Sequence, residues 1–307
     1  MKTRIAVIGV GHLGQHHARL LAAMDDVELV GVVDRRPERA REIADKYGGA
    51  AFTDAAQVAG AVDAVSIATP TESHVDIALP FVEAGVPVLV EKPIAASLAD
   101  ADRLIEAAAR RGTVLAAGHT ERFNPAVARA LPLVADPRFI EVHRLGTFPE
   151  RSLDIDVIFD LMIHDLDLLL SSVGSPVASV EAVGVNVLTP KVDIANARLK
   201  FESGCIANLT ASRISRDRVR KARFFQHDAY ISIDFAAQEV EVYRLVASNG
   251  GRPNIQGGRL EIANDEPLRR ELADFVEAAR TGREPAVTGR AGRDALALAT
   301  RIAELIQ

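Results

Sequence analysis

The chain has 307 residues, of which 48% are apolar, and its 36 Lys and Arg against 42 Asp and Glu give a formal net charge of −6. This charge argues against a surface that binds nucleic acid broadly, and no apolar run reaches the roughly 18 residues that a membrane span requires. The one cysteine, Cys205, excludes an internal disulfide and a multi-cysteine zinc site. These features predict a cytoplasmic protein that binds neither nucleic acid nor membranes.

The first 120 residues alternate short apolar runs with segments of helical periodicity. The apolar runs lack regular polar positions, as do strands that are buried on both faces of a parallel sheet. They cover residues 5–10, 28–33, 64–68, 86–90 and 113–117, and the helical segments include 13–24, 37–47, 74–83 and 98–110. This alternation predicts an α/β fold in which residues 1–120 form a Rossmann domain with a doubly wound parallel sheet.

After residue 120 the pattern changes to strand-length segments separated by gaps of hairpin size. The segments are Phe139–Leu145, Val177–Val187, Ile194–Phe201, Cys205–Ile214, Phe224–Asp234 and Val240–Val246. One long helical segment, Val157–Ser171, interrupts them. We therefore predict an α+β domain over residues 121–290 with a large open, mainly antiparallel sheet, followed over 291–307 by a helix that packs back on the body.

A glycine motif, Gly9-x-Gly11-x-x-Gly14, directly follows the first predicted strand and opens a helix. Glycines at this spacing allow a tight turn, close approach of a pyrophosphate and close helix packing. Asp34 lies 20 residues after Gly14, where an acid binds the ribose hydroxyls of NAD and repels the 2′-phosphate of NADP. The adjacent Arg35 could stack on adenine or receive a 2′-phosphate. The motif predicts an NAD site, and the alternative is a glycine-rich turn followed by an exposed acid.

Two further turns follow predicted strands of the first domain. Ligands of open α/β sheets bind at the carboxyl ends of the strands, where Ala68-Thr69-Pro70 and Glu91-Lys92-Pro93 stand. We expect the first turn to lie beneath the nicotinamide, with His74 nearby. We expect the second turn to place Lys92 next to the substrate carbon that reacts. The alternative is that Glu91 and Lys92 form an ordinary solvated pair.

Asp160 and His164 stand four residues apart on the predicted helix 157–171 and so share a face. A carboxylate there can orient an imidazole that accepts a proton. Asp167 can lie on the same side. An amphipathic helix with one acidic face would explain the pattern without chemistry. Hydride transfer to NAD needs no metal, so we predict none.

Taken together, these motifs resemble the Gfo/Idh/MocA oxidoreductase family, and the resemblance runs over nearly the whole chain. It implies that Lys92 and His164 are the catalytic pair, that Asp160 is the active-site acid, and that a cis peptide bond precedes Pro93. It also implies a homo-oligomer, a dimer or tetramer, formed through the open C-terminal sheet. The implied cofactor-binding residues are Gly9, Gly11, His12, Leu13, Gly14, Asp34, Arg35, Ala68, Thr69, Pro70, His74, Glu91 and Lys92.

Residues 118–125 and 160–165 are similar to the branch of this family that includes UDP-N-acetylglucosamine 3-dehydrogenases. The similarity implies oxidation of a sugar hydroxyl to a ketone, with Arg122 contacting an anionic group and Asn124 a sugar hydroxyl. The implied substrate-binding residues are Lys92, Arg122, Asn124, Asp160 and His164. The alternatives are another polyol or inositol dehydrogenase, an NAD-dependent glycosidase of the same fold, and a noncatalytic NAD-binding protein.

A basic stretch between Arg213 and Arg223 holds six cationic residues and one acid. It lacks the interleaved aromatic residues of a nucleic-acid-binding surface. We interpret it as a solvated hairpin, and the functional alternative is a loop that binds a diphosphate.

Overall fold

The computed structural model describes residues 2–148, 153–246 and 254–306. The chain forms two compact units, the first from Met1–Thr120 with Glu266–Arg293 and the second from Glu121–Asp265 with Asp294–Gln307. The predicted division is corrected for residues 266–290, which belong to the first unit. The reason is a helix whose apolar side chains Leu272 and Phe275 lie in the core of that unit.

The first unit contains a parallel sheet of six strands: β1 (Thr3–Ile8), β2 (Val27–Val33), β3 (Ala50–Phe52), β4 (Ala64–Ile67), β5 (Val88–Glu91) and β6 (Leu115–Gly118). Their order is β3-β2-β1-β4-β5-β6, which is the order of a doubly wound dinucleotide-binding fold. The predicted fold class is thereby confirmed. The sequence analysis missed β3, because its three residues are too short to show a pattern. The direction of winding reverses between β1 and β4, and ligands of such sheets bind at that switch point.

The described residues contain eight α-helices: α1 (Gly14–Ala22), α2 (Pro37–Tyr47), α3 (His74–Glu83), α4 (Leu98–Arg111), α5 (Pro125–Ala130), α6 (Ile163–Val173), α7 (Pro267–Thr281) and α8 (Gly289–Ile306). Local chemistry sets several ends. Pro37 occupies the first turn of α2, where a missing N–H costs nothing. The Ser97 hydroxyl accepts from the Asp100 N–H at 3.1 Å and so caps α4. Gly112 ends α4 in the left-handed conformation.

The second unit contains a sheet of eight strands: β7 (Phe139–Leu145), β8 (Val177–Val185), β9 (Ile194–Phe201), β10 (Ile206–Ser212), β11 (Val219–Phe225), β12 (Ala229–Asp234), β13 (Glu239–Val246) and β14 (Asn254–Arg259). The order is β14-β13-β12-β11-β7-β10-β9-β8, and every neighbouring pair is antiparallel except β7 with β10. The single strand predicted over 224–234 is wrong, because residues 226–228 turn the chain between β11 and β12. Buried and exposed residues alternate along β9, as expected for a sheet with one covered face.

The long helix predicted over residues 157–171 is interrupted near its start. Residues Ile158–Met162 form a π-helical turn, in which the N–H of Ile163 donates to the carbonyl of Ile158, and α6 follows directly. Single π turns inside helices are frequent at functional sites. Asp160 lies in the π turn and His164 at the start of α6, so the two residues belong to different helical geometries.

No helix within the described part of the chain is long and apolar enough to cross a membrane.

Candidate active site

The glycine motif forms a loop between β1 and α1 in which its three glycines have different physical roles. Gly9 has a φ of 83°, and a Cβ there would lie 2.6 Å from Cγ2 of Thr69. A Cβ on Gly14 would lie 1.8 Å from the carbonyl oxygen of Gly9. Gly11 is different, since a Cβ there would meet no protein atom within 4 Å. Gly9 and Gly14 must therefore be glycine because the protein leaves no room for a side chain there. The space beside Gly11 is open and fits a pyrophosphate.

Arg39 of α2 holds the glycine loop by hydrogen bonds to its backbone carbonyl groups, a role that the sequence analysis missed. Its Nε donates to the carbonyl of Val10 at 2.8 Å and its Nη2 to that of Gly11 at 3.3 Å. Nη1 binds Glu42 at 2.8 Å. The spacing from Pro37 could have placed Arg39 in the first turn of α2, but nothing in the sequence indicated the direction of its side chain.

Asp34 immediately follows β2, and its carboxylate lies near the same edge of the sheet as the glycine loop. Its Oδ1 accepts from the backbone N–H of Arg36 at 3.1 Å and from Nε of Arg36 at 3.3 Å. Oδ2 retains its acceptor capacity for a ribose hydroxyl. Arg35 is exposed. Together with the glycine loop, this acid fits a dinucleotide with a free ribose.

His74 bridges the two turns that follow β4 and β5. Its Nε2 lies 2.8 Å from the carbonyl oxygen of Thr69, and its Nδ1 lies 2.9 Å from that of Pro93. The side chain is 1% exposed, and burial lowers the pKa of the imidazole below its ordinary value. The prediction that His74 binds the cofactor stays a prediction, and the structure gives the residue a supporting role. Its ring is enclosed between the turns and supports Thr69, whose hydroxyl also accepts from Ser73 at 3.0 Å.

The side chain of Glu91 is also enclosed, and its predicted cofactor contact stays a prediction. Its Oε1 lies 3.1 Å from Nε2 of His17 on α1, and the two side chains are 5% and 0% exposed. Nδ1 of His17 lies 2.8 Å from the hydroxyl of Ser66 on β4. Oε2 of Glu91 accepts from the backbone N–H of Lys92 at 3.2 Å. Glu91 thus fixes the start of the turn, and Gly118 on β6 leaves the room that its carboxylate fills.

Lys92 is half-buried and follows β5, at the same edge of the sheet as the glycine loop. The peptide bond between Lys92 and Pro93 is cis, as the sequence analysis predicted. The first unit therefore gathers the glycine loop, Asp34, the Thr69 turn and Lys92 at the carboxyl ends of its strands. A hydride acceptor bound by the first three would have an ammonium group beside it.

In the second unit, the two acids that follow His164 on α6, Asp165 and Asp167, each form an ion pair with an arginine. Asp165 receives two hydrogen bonds from Arg144 of β7, at 2.8 and 2.7 Å. Asp167 receives two from Arg122, at 2.8 and 3.4 Å. Arg122 was predicted to contact an anionic substrate group. In the structure Asp167 is the anion that Arg122 binds, and the contact of Arg122 with a substrate stays a prediction.

Arg144 is the centre of this charged network. It is 4% exposed, and it binds Glu121 at 3.0 Å in addition to Asp165. Burial opposes its charge, but the two carboxylates outweigh burial and raise the pKa of the guanidinium above its ordinary value. Phe235 stacks against it at 5.4 Å. The network holds the start of α6, and with it His164, against the sheet.

Asn124 has a structural role, and its predicted sugar contact stays a prediction. The side chain is 3% exposed. Its Oδ1 accepts from the N–H of Ala126 at 3.0 Å, which caps α5, and its Nδ2 donates to the carbonyl of Phe235 at 3.0 Å. An Asn before a helix that opens with Pro125 is a signal for an N-cap, and it is sufficient to explain this residue.

The basic stretch is not the solvated hairpin that the sequence predicted. Arg213 is buried, and its Nε binds Oδ1 of Asp193 at 2.8 Å. Although burial raises the pKa of Asp193, hydrogen bonds from the backbone N–H groups of Leu188 and Thr189 and from Arg213 hold it well below its usual range. Residues 216–218 are exposed, and Val219–Phe225 belongs to the sheet as β11.

Family models match both units. The model "Oxidoreductase family, NAD-binding Rossmann fold" matches residues 3–119, and a Gfo/Idh/MocA C-terminal domain model matches residues 137–232. The chain is 42% identical over 301 residues to a UDP-N-acetylglucosamine 3-dehydrogenase from Acidithiobacillus ferrooxidans, covering 97% of this chain and 96% of that one. The chain belongs to the Gfo/Idh/MocA oxidoreductase family.

Two further comparisons describe its place among the Gfo/Idh/MocA proteins. A solved structure of the Acidithiobacillus ferrooxidans UDP-N-acetylglucosamine 3-dehydrogenase superposes with a TM-score of 0.93 at 40% identity, covering 100% of this chain and 98% of that one. A myo-inositol 2-dehydrogenase from Thermotoga maritima is 29% identical, over 96% of this chain and 93% of its own length. Both are dehydrogenases by name and match the chain from end to end.

As a Gfo/Idh/MocA oxidoreductase, this protein uses a nicotinamide cofactor. The glycine loop with its open space at Gly11 fits that group. The residues given catalytic roles stand on both units, Lys92 on the first and Asp160 and His164 on the second. Among the described residues, no cluster of three or more His, Cys, Asp and Glu side chains could hold a metal ion.

Proposed function

We propose that this protein is an NAD-dependent dehydrogenase that oxidises the 3-hydroxyl of UDP-N-acetylglucosamine to a ketone. The observation that carries the proposal is the end-to-end similarity, at 42% identity, to an enzyme of that name. The inositol dehydrogenases are more distant in sequence. Lys92, Asp160 and His164 supply the side chains that the reaction needs.

The reaction separates a hydride from a proton. When NAD⁺ is bound, it supplies the acceptor for the hydride that leaves carbon 3 of the sugar. If His164 accepts the hydroxyl proton, it does so as a neutral imidazole while the Lys92 ammonium stabilises the charge that develops on oxygen. If Lys92 is the acceptor, it receives the proton as a neutral amine and becomes the ammonium in that step. Asp160 orients the imidazole. The products are a 3-keto sugar nucleotide, NADH and one proton, so that atoms and electrons balance.

The function is tested by NADH formation with purified protein over a panel of UDP-N-acetylglucosamine, other nucleotide sugars, free sugars and inositols. Stoichiometric NADH with UDP-N-acetylglucosamine, at the highest kcat/KM of the panel, is the expected result. Preference for inositol would favour the alternative dehydrogenase. Hydrolysis without net NADH would favour a glycosidase, and NAD binding without turnover on any compound would favour a noncatalytic protein.

The choice of NAD over NADP follows from Asp34, whose carboxylate would repel a 2′-phosphate. Replacing it in Asp34→Ser should raise the ratio of kcat/KM for NADP to that for NAD by about tenfold or more. Steady-state kinetics with each cofactor measure the ratio. Asp45→Ser, which changes an exposed acid on α2, is the matched control and should leave the ratio unchanged. An unchanged ratio in Asp34→Ser would remove Asp34 from cofactor selection.

We also propose a homo-oligomer, a dimer or tetramer, that assembles through the open face of the second sheet. Exposed apolar side chains support this proposal: Val183, Val185, Tyr243, Leu245 and Ile255. Large exposed apolar patches are typical of protein interfaces. Light scattering after size exclusion should give a mass of two or four chains of 32.9 kDa. The variant Val185→Lys should lower that mass, and a monomeric wild type would contradict the proposal.

A further inference from the structure

Two arginines, Arg144 of β7 and Arg220 of β11, stand opposite each other in the second sheet. Their Cα atoms are register partners, and directly opposed residues of an antiparallel pair project from the same face. That face is the covered one, because it also carries the buried residues Val142 of β7 and Ala222 of β11. It is also the face on which Asp165 of α6 reaches Arg144.

The charges of these two arginines are balanced very differently. Asp165 and Glu121 both bind Arg144. Arg220 forms no ion pair with any carboxylate in the part of the chain that the structure describes. Arg220 is exposed to solvent, yet burial by the surrounding protein and the charge of Arg144 lower the pKa of its guanidinium, and the attraction of Glu121 and Asp165 offsets this only in part. A cation placed opposite another cation is unfavourable unless an anion compensates it.

The surroundings of Arg220 carry further positive charge. Arg218, two residues earlier in the chain, is exposed, and its Nη2 lies 3.5 Å from the hydroxyl of Thr147. Arg218 and Arg220 lie at one end of the second sheet. At the same end, the buried ion pair between Arg144 and Asp165 holds α6 against the sheet. His164 directly precedes Asp165. Among the described residues, the second unit therefore presents two guanidinium groups outside any ion pair, Arg218 and Arg220, at the end of the sheet to which Asp165 is bound.

We propose that Arg220, with Arg218 beside it, binds the diphosphate of the nucleotide-sugar substrate. This inference rests on the proposed function. In such a substrate the diphosphate is attached at carbon 1, while the hydroxyl that is oxidised is on carbon 3 of the same ring. The anion site must therefore lie beside the proton acceptor and not at it. Arg220 is linked to His164 in this way, because it stands opposite Arg144, and the partner of Arg144, Asp165, directly follows His164. Guanidinium groups bind phosphate oxygens with two parallel hydrogen bonds.

The test measures steady-state kinetics of Arg220→Gln with UDP-N-acetylglucosamine. The KM should rise by at least about tenfold, the scale of one charge-assisted hydrogen bond, while kcat stays within about threefold. The inhibition constant of UDP, which carries the diphosphate without the sugar, should rise by a similar factor. Arg220→Lys keeps the charge but loses the planar fork and should give an intermediate KM.

Arg223→Gln is the matched control, because Arg223 stands on the same strand but points to the opposite face, where it pairs with Glu141 at 3.5 Å. It should leave both constants unchanged. A wild-type KM and UDP inhibition constant in Arg220→Gln would overturn the inference, as would equal effects in Arg223→Gln.

Failure of the proposed function gives a different result. A wild type that forms no NADH with UDP-N-acetylglucosamine contradicts that function, and calorimetric titration of UDP into the wild type and Arg220→Gln then tests the anion site by itself. Binding of UDP that is lost in the variant supports the site. The absence of UDP binding to the wild type overturns it.

Discussion

The variant Lys92→Ala is expected to lose turnover by roughly 10³–10⁴-fold while it retains NAD binding. In the proposed mechanism Lys92 supplies the charge that stabilises oxygen as the hydride leaves, and an alanine methyl group leaves nothing in its place. In the proposed site the nucleotide is held by other groups, namely the glycine loop and Asp34. Calorimetric titration of NAD should therefore give a dissociation constant close to that of the wild type, while NADH formation falls to the background rate.

Lys46→Ala is the control for this experiment, because it removes a lysine from the surface of α2 in the same unit. Its kcat should match that of the wild type. If Lys92→Ala retained turnover within about threefold of the wild type, Lys92 would have no catalytic role. If it lost NAD binding as well as turnover, its effect would belong to the cofactor site.

His164→Asn is expected to lower kcat by roughly 10²–10⁴-fold, the range for removal of a general base. Asparagine has a similar volume and retains hydrogen bonds, but it cannot accept the proton at neutral pH. With the chemical step slowed, the isotope effect on kcat from deuterium at carbon 3 should rise toward its full value. The thermal midpoint should change little, because the hydrogen bonds of Arg144 to Asp165 and Glu121, which hold α6, stay in place.

His143→Asn provides the comparison within the same unit. His143 precedes Arg144 on β7, and its side chain therefore points to the opposite face of the sheet. The kcat and the isotope effect of the His143→Asn variant should equal those of the wild type. A wild-type kcat in His164→Asn would assign the proton to Lys92 alone.

The first unit could be predicted from sequence because its physical signals are local. Buried parallel strands appear as short apolar runs, and the glycine motif couples a turn to a helix within six residues. The predicted helix over residues 37–47 coincides with α2. The antiparallel sheet was harder, because the turn between β11 and β12 contains Gln226, His227 and Asp228 and neither Gly nor Pro. Helix α7 was not predicted, because its sequence is rich in charged residues and showed no strong helical pattern.

The roles of individual polar residues could be predicted less well than their neighbourhood. Arg122, Asn124, His74 and Glu91 were all assigned to ligands, and the structure shows that each one also binds another part of the protein. Sequence spacing indicates which residues reach one edge of a sheet, but it does not indicate which of them find partners there. Asp167, for example, is 45 residues from Arg122. Such pairing depends on the packing of elements that are distant in the chain.

The bridge that His74 makes between the carbonyl groups of Thr69 and Pro93 has a consequence for protein engineering. The two turns belong to different strands, yet one imidazole sets the spacing between them. Grafting only one of these turns from a relative would therefore alter the geometry of the other. A chimera that exchanges cofactor or substrate preference should transfer both turns and the histidine as a single module.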